Sequence, residues 1–192
     1  MKLALKNFAY FILDILQTVT VAFGFFAVVY LFVVQLHKVN GDSMLPNFHN
    51  AEYLLTNKLV YLFRAPQRGD VIIFKFPPMP SSDYIKRVIG LPGEEIEIRN
   101  DRIIIYNQGH PEGLTLDETY LPAGTATVGK SYLPKDTRIK IPEGNYVVMG
   151  DNRTHSSDSR EWGFVPRENI IGRGWLRIWP PDALAFIPQP SY

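Results

Sequence analysis

The sequence predicts a mostly β fold, with one N-terminal transmembrane helix followed by a domain of antiparallel strands. Three observations predict it. Residues 15–36 carry no charged side chain. Beyond them, short runs rich in β-branched and aromatic residues alternate with turn residues, the pattern of strands and hairpins. Fifteen prolines and 14 glycines, scattered along 192 residues, argue against a helical bundle.

A charge-free run of about 22 residues is long enough to cross a hydrocarbon core as a helix. A cleaved signal peptide would have a shorter apolar stretch and small residues at its end; here Val34-Gln35-Leu36-His37 follows instead. A buried core helix would carry a polar face, which this run lacks. The expected division is therefore a short cytoplasmic N-terminus at 1–14, an anchor at 15–36 and an extracytoplasmic domain at 37–192. Lys2 and Lys6 precede the anchor, while His37 and Lys38 follow it. The positive-inside rule leans toward a cytoplasmic N-terminus, giving a single-pass protein of a cytoplasmic-type (inner) membrane. Ser43 lies seven residues beyond Leu36, at most ~25 Å even fully extended, so it works close to the bilayer surface.

Candidate strands lie at 52–55, 71–76, 84–91, 95–98, 102–106, 145–149 and 170–179, with Asn100-Asp101 as a tight hairpin turn. The segment 108–135 has weak periodicity and several turn residues, and reads as a peripheral excursion. The apolar stretch Phe74-Lys75-Phe76-Pro77-Pro78-Met79-Pro80, and Trp175 and Trp179 flanking Arg177, leave two readings open: core strand ends, or a surface that rests on lipid.

Composition excludes several chemistries. A formal charge of +1 gives no basic field for nucleic acid. The absence of cysteine removes disulfides, thiolate nucleophiles and Cys-based metal sites. His37, His49, His110 and His155 show no metal-ligand spacing, so neither a metal nor another cofactor is expected.

Three clusters can carry chemistry. In Gly41-Asp42-Ser43-Met44-Leu45-Pro46, glycine permits an unusual backbone before the serine and proline stiffens the chain after it. That suits a serine held out on a turn, with its own N–H available to an oxyanion. In Asp83-Tyr84-Ile85-Lys86-Arg87-Val88-Ile89-Gly90, strand alternation puts Lys86 on the face of Tyr84 and Val88. If that face is buried, desolvation lowers the amine's pKa and makes it a base; if not, Lys86 is an ordinary surface lysine, and the pattern alone favours the latter. The third cluster, Gly150-Asp151-Asn152-Arg153-Thr154-His155-Ser156-Ser157-Asp158-Ser159-Arg160, is a surface loop or the wall of a site. A Ser-His-Asp arrangement through His155 is open but unfavoured, and Arg68-Gly69-Asp70 reads as a turn before an adhesion motif.

In this order the clusters resemble the type I signal peptidases. The match continues through Arg68-Gly69-Asp70-Val71-Ile72-Ile73-Phe74, Leu91-Pro92-Gly93-Glu94 and Trp162-Gly163-Phe164-Val165-Pro166. The resemblance implies a catalytic domain of coiled antiparallel β-sheets. It also implies a membrane-bound serine endopeptidase that removes signal peptides from exported preproteins after small residues of the Ala-x-Ala type. Ser43 would be the nucleophile and Lys86 its base, with the Ser43 N–H in the oxyanion hole and Ser156 orienting the lysine. Gly41 stands where some members place a second, hydroxyl donor. Val39, Met44, Phe48, Tyr84 and Ile85 match pocket walls, and Asp151, Arg153, Asp158 and Arg160 match structural supports. The partners implied are preproteins and the lipid bilayer. Two other readings are a self-cleaving repressor of the SOS type, disfavoured because an apolar span occupies the place of its DNA-binding module, and a tethered binding domain without activity, disfavoured because positions 43, 86 and 156 all match.

Overall fold

The computed structural model describes residues 2–190. Helix α1 (Lys2–Val28) continues into a π-helical stretch, Val29–Val33. Its segment Lys6–Val28 has a mean hydropathy of 2.0 and none of it is buried, so it is long and apolar enough to cross a membrane. The helix starts earlier and ends sooner than residues 15–36. The last three residues of the expected anchor, Val34 to Leu36, already belong to strand β1 (Val34–Lys38), which pairs in register with β2 (Tyr53–Asn57). An absence of charge does not separate a helix from a strand that continues it; pairing with β2 does.

The remaining strands are β3 (Val71–Lys75), β4 (Asp83–Gly90), β5 (Glu95–Arg99), β6 (Arg102–Asn107), β7 (His110–Thr115), β8 (Ile139–Lys140), β9 (Asn145–Met149), β10 (Val165–Pro166), β11 (Ile170–Trp179) and β12 (Ala185–Phe186). Two short helices, α2 (Val60–Phe63) and α3 (Ser159–Trp162), interrupt them. One sheet runs β1-β2-β11-β3-β4-β9-β10 with β12 added to β11; the other runs β7-β6-β5-β8. Every pairing between these strands is antiparallel. All seven expected strands are present. Asn100 and Asp101 have φ of 51° and 58°, as a two-residue hairpin of the primed kind requires.

β4 and β9 join two cores. Val88, Tyr146 and Val148 face a cluster with Ile72, Phe74, Val165 and Ile170. The intervening Ile89, Val147 and Met149 face another, formed with Ile96, Ile98, Ile103, Ile105 and Ile141. With both faces covered, these strands read as continuous apolar runs, and a period of two only assigns residues between cores. A third cluster holds Val39, Met44, Phe48, Leu54, Val71 and Ile187 beneath the 39–52 loop.

The excursion at 108–135 is less peripheral than its sequence suggests. It opens with β7, which extends the second sheet, and returns Leu116 and Leu133 to the core there. Its Glu118 and Tyr120 engage Arg153. These contacts are set by tertiary partners, which a single-segment periodicity does not report. The two apolar stretches differ in burial. Phe74 is core, and Phe76 stacks on Tyr84 at 4.2 Å and meets the edge of Trp162. Trp175, Trp179, Leu184 and Phe186 instead form an exposed apolar surface on β11, β12 and the turn between them.

Candidate active site

The loop between β1 and β2 is closed on itself. Val39 N–H donates to Glu52 O at 2.8 Å and Ala51 N–H to Val39 O at 2.9 Å. Gly41 has φ +85°, the left-handed region that favours glycine, and its N–H donates to Asn50 Oδ1. Met44 and Phe48 sink into the third cluster, which leaves the partly exposed Ser43 displayed at the loop's crest.

A second loop, following β9, straps this one. Asn152 N–H donates to Ser43 O at 3.0 Å, and Asn152 Nδ2 to Asp42 O at 3.0 Å. Asn47 Nδ2 donates to Asp151 Oδ2 at 2.8 Å. The two loops approach so closely that a Cβ at Gly150 would collide with the Ser43 carbonyl and the Ser156 hydroxyl. Glycine at 150 is thus a packing requirement. Asn47, Asn152 and Gly150 acquire these roles only from the contact between loops, and sequence reasoning gave them none.

β4 delivers Lys86 to the same point. Its Nζ lies 2.8 Å from Ser43 Oγ, 2.9 Å from Ile85 O and 5.4 Å from the centre of the Tyr84 ring. Tyr84 and Lys86 share a face, as alternation requires. The lysine is 3 % exposed, which decides between the two sequence readings: it is buried. Burial lowers its pKa from the usual value to about 8, against the opposing pull of Asp158 and then Asp151. An appreciable share of the amine is therefore free base near neutral pH, next to a hydroxyl. Such a pair can pass the serine proton to nitrogen while the oxygen attacks an electrophile.

The supports are buried ion pairs. Arg87 donates to Asp151 through Nε (2.8 Å) and Nη2 (2.6 Å), with Tyr120 4.0 Å above the guanidinium. Arg153 grips Glu118 and donates from Nε to Gly150 O. Arg160 holds Asp158 through Nε and Nη2, both at 2.8 Å, and reaches Arg153 O. Burial alone would raise the Asp158 carboxyl; the Arg160 bonds and charge outweigh it, holding the pKa below the ordinary range. The stability this contributes is present at neutral pH and is lost as pH falls through that depressed value. Ser156 is buried near Asp158, and its hydroxyl helps lower that carboxyl. It makes no hydrogen bond of full geometry, and the amine's direct contacts are Ser43 and Ile85.

Ser43 and Lys86 open onto a groove of about 610 Å³, lined also by His37, Asn40, Ser82, Asp83, Tyr84, Ile85 and Ser157. Of the expected wall residues, Tyr84 and Ile85 line it, whereas Val39, Met44 and Phe48 are buried behind it, with Ile85 packed against their cluster. His155 is exposed and its ring pairs with Thr154 Oγ1 rather than with a serine, so the Ser-His-Asp alternative has no geometry. Asp70 is buried under Arg64, Arg173 and Tyr61, which removes the adhesion reading. Among the described residues, no group of acidic and histidine side chains is placed to hold a metal ion.

An amine and a hydroxyl in contact beside an open groove have the chemistry that nucleophilic hydrolysis needs. Residues 12–179 match the family described as signal peptidase, peptidase S26. Signal peptidase I of Leptolyngbya laminosa is 37% identical over 172 residues, covering 84% of this chain and 77% of that protein. Signal peptidase IB of Staphylococcus aureus strain COL is 31% identical over 180 residues, covering 88% and 90%. A crystal structure of signal peptidase I from Enterococcus faecalis V583 aligns with 57% of this chain and 97% of that one, at 32% identity and a TM-score of 0.46. The chain belongs to the signal peptidase family, peptidase S26, and is a hydrolase of the signal peptidase I type.

Proposed function

We propose that this chain is a membrane-anchored endopeptidase that cuts signal peptides from exported preproteins with Ser43 and Lys86. The observation that carries the reading is a buried lysine nitrogen, its pKa brought down to about 8, 2.8 Å from a partly exposed serine hydroxyl. The neutral amine takes the Ser43 proton as Oγ attacks the scissile carbonyl. The new C–O bond forms as the carbonyl π electrons move to oxygen, where the Ser43 N–H stabilises the charge. Collapse breaks the C–N bond, and the ammonium returns its proton to the departing amine. Water, deprotonated by the same amine, then hydrolyses the ester.

Two open strand edges flank the groove. Among the described residues, β1 pairs only with β2, and the Asp83–Lys86 half of β4 pairs only with β3. An extended peptide entering between them adds main-chain hydrogen bonds as an extra strand. The walls behind are closely packed, so that small side chains are admitted and large ones excluded, which is the Ala-x-Ala preference. α1 spans the bilayer with its N-terminus in the cytoplasm, and the catalytic domain lies outside. The exposed Trp175, Trp179, Leu184 and Phe186 rest on lipid. Holding enzyme and substrate at one surface raises their effective concentration.

The purified full-length protein in detergent is expected to cut a preprotein once, after an Ala-x-Ala sequence. Replacing either alanine by leucine is expected to lower kcat/KM at least ~100-fold. Cutting elsewhere, or indifference to leucine, contradicts the assignment.

The pH dependence follows from charge. The acid limb of kcat/KM is expected near pH 8, where Lys86 loses its proton. Asp158 raises that pKa, so Asp158→Asn is expected to move the limb to lower pH even as the unpaired Arg160 costs stability. A pH profile of kcat/KM for both proteins checks the direction.

A further inference from the structure

Because α1 starts earlier than the charge-free run, its membrane-length segment Lys6–Val28 takes in Asp14 as well as Gln17. Gln17 is the central residue of that segment, and Asp14 lies about 4.5 Å nearer its N-terminus. Both are exposed, and neither side chain meets a hydrogen-bond partner among the described residues. The Thr18 and Thr20 hydroxyls, by contrast, donate to carbonyls of their own helix, Asp14 O and Leu16 O, both at 2.8 Å. A carboxyl and a carboxamide in hydrocarbon are costly unless another helix satisfies them. The other polar side chains fall in line with these two. Asn7, Tyr10, Asp14 and Gln17 follow one another at spacings of three and four, and Val21, Gly24 and Val28 continue the same seam. That alternation is the spacing of the contact between two helices that coil around each other. A Cβ at Gly24 would meet nothing within its own chain, whereas a small residue there lets a second helix come close. Ile12, Val19 and Phe26 make the opposite face apolar and exposed.

We infer that this seam is where α1 packs in parallel against α1 of a second copy, with Gln17 of each copy donating to Asp14 of the other. The occupant follows from the chemistry of the seam. The apolar segment of a signal peptide offers no group to a carboxamide or a carboxyl. A second copy brings both, and its direction is fixed, because every copy enters the membrane the same way round. Identical residues then stand at one depth. Helical side chains tilt toward the N-terminus, so Gln17 reaches for the layer of Asp14. Two-fold symmetry makes that hydrogen bond twice. Asn7 meets Asn7, and a carboxamide, with both donor and acceptor, is its own complement. Val21, Gly24 and Val28 supply the close contact below, while Ile12, Val19 and Phe26 face lipid. The inference rests on α1 crossing the bilayer, as the proposed function has it, and adds an assembly to that function.

The chain has no cysteine, so single cysteines report the seam without background. Full-length Val21→Cys, Val28→Cys, Val19→Cys and Phe26→Cys are placed in phosphatidylcholine vesicles, diluted in lipid, washed with alkaline carbonate and oxidised. The disulfide-linked dimer is expected at positions 21 and 28 at least about fivefold above positions 19 and 26. Adding Gln17→Leu to Val21→Cys is expected to lower the linked fraction at least about threefold. Leucine enters a bilayer more readily than glutamine, so that loss does not come from a weaker anchor. Linking at all four positions alike, linking at none, or a seam signal that Gln17→Leu leaves unchanged overturns the pairing. So does loss of the seam signal when an uncut preprotein is added to the Ser43→Ala form, which would give this face to the substrate's apolar segment. Protein released by the alkaline wash fails the membrane reading and takes the pairing with it. Protein that stays with the vesicles, cuts a preprotein and shows no seam dimer overturns the pairing alone.

Discussion

Ser43→Ala is expected to remove cleavage, lowering kcat/KM by at least ~10⁴-fold while the protein keeps its fold and its melting temperature within a few degrees. Two other serines, Ser82 and Ser157, line the groove, yet Ser43 is the hydroxyl within reach of the Lys86 amine. A serine without a base is a poor nucleophile at neutral pH, so neither neighbour substitutes. The small structural effect follows from how the loop is held. The straps on Ser43 come through its carbonyl, and Met44 and Phe48 supply the buried anchors. The Oγ accepts one hydrogen bond, from an amine that also donates to the Ile85 carbonyl. Cleavage of a preprotein and a thermal melt on the same sample separate the two effects.

Lys86→Met is expected to abolish activity and to raise stability, an opposition of sign that an ordinary core lysine would not show. The folded pKa of about 8 stands below the usual 10.5, so the native state disfavours the ammonium. Below pH 8 that disfavour is fully present, about 3 kcal/mol, and it fades as pH rises from 8 toward 10.5. Methionine has a similar reach and no charge to bury. It forfeits two hydrogen bonds, each worth about 1 kcal/mol, and the net gain at pH 7 is about 1 kcal/mol, or roughly 2–4 °C in Tm for a domain of this size. The gain shrinks as pH rises, because the wild type no longer has to hold an ammonium. Lys86→Arg is expected to lose both activity and stability, since a guanidinium stays charged in the same pocket. Melts at pH 7 and pH 10 beside an activity assay check all three statements.

Much of this architecture is legible in the residues. The strands at 71–76 and 145–149 announce themselves as apolar runs, and Asn100-Asp101 as a turn, because those signals are local. The strands that escape notice are those whose partners define them. His110–Thr115 contains proline and glycine and reads as loop, yet it pairs with β6. Val34–Lys38 is hidden at the end of an apolar helix. In the site, the types are readable and the distances are not. Alternation placed Lys86 with Tyr84 and Val88, but whether that face was buried depended on residues over 40 positions away. The same holds for Asn47 and Asn152, whose amides tie two loops more than 100 residues apart in sequence. Asn is common in loops, and nothing in the neighbouring residues separates a strap from an ordinary turn.

The identity of the nucleophile is tested most directly by trapping the ester. Full-length protein is mixed with a preprotein, quenched in acid within the first turnover, digested and mapped by mass. The mechanism predicts the signal-peptide fragment attached through its C-terminal carbonyl to the peptide containing Ser43, absent from Ser43→Ala. The same fragment attached at Ser82, Ser156 or Ser157, or normal turnover by Ser43→Ala, would contradict it.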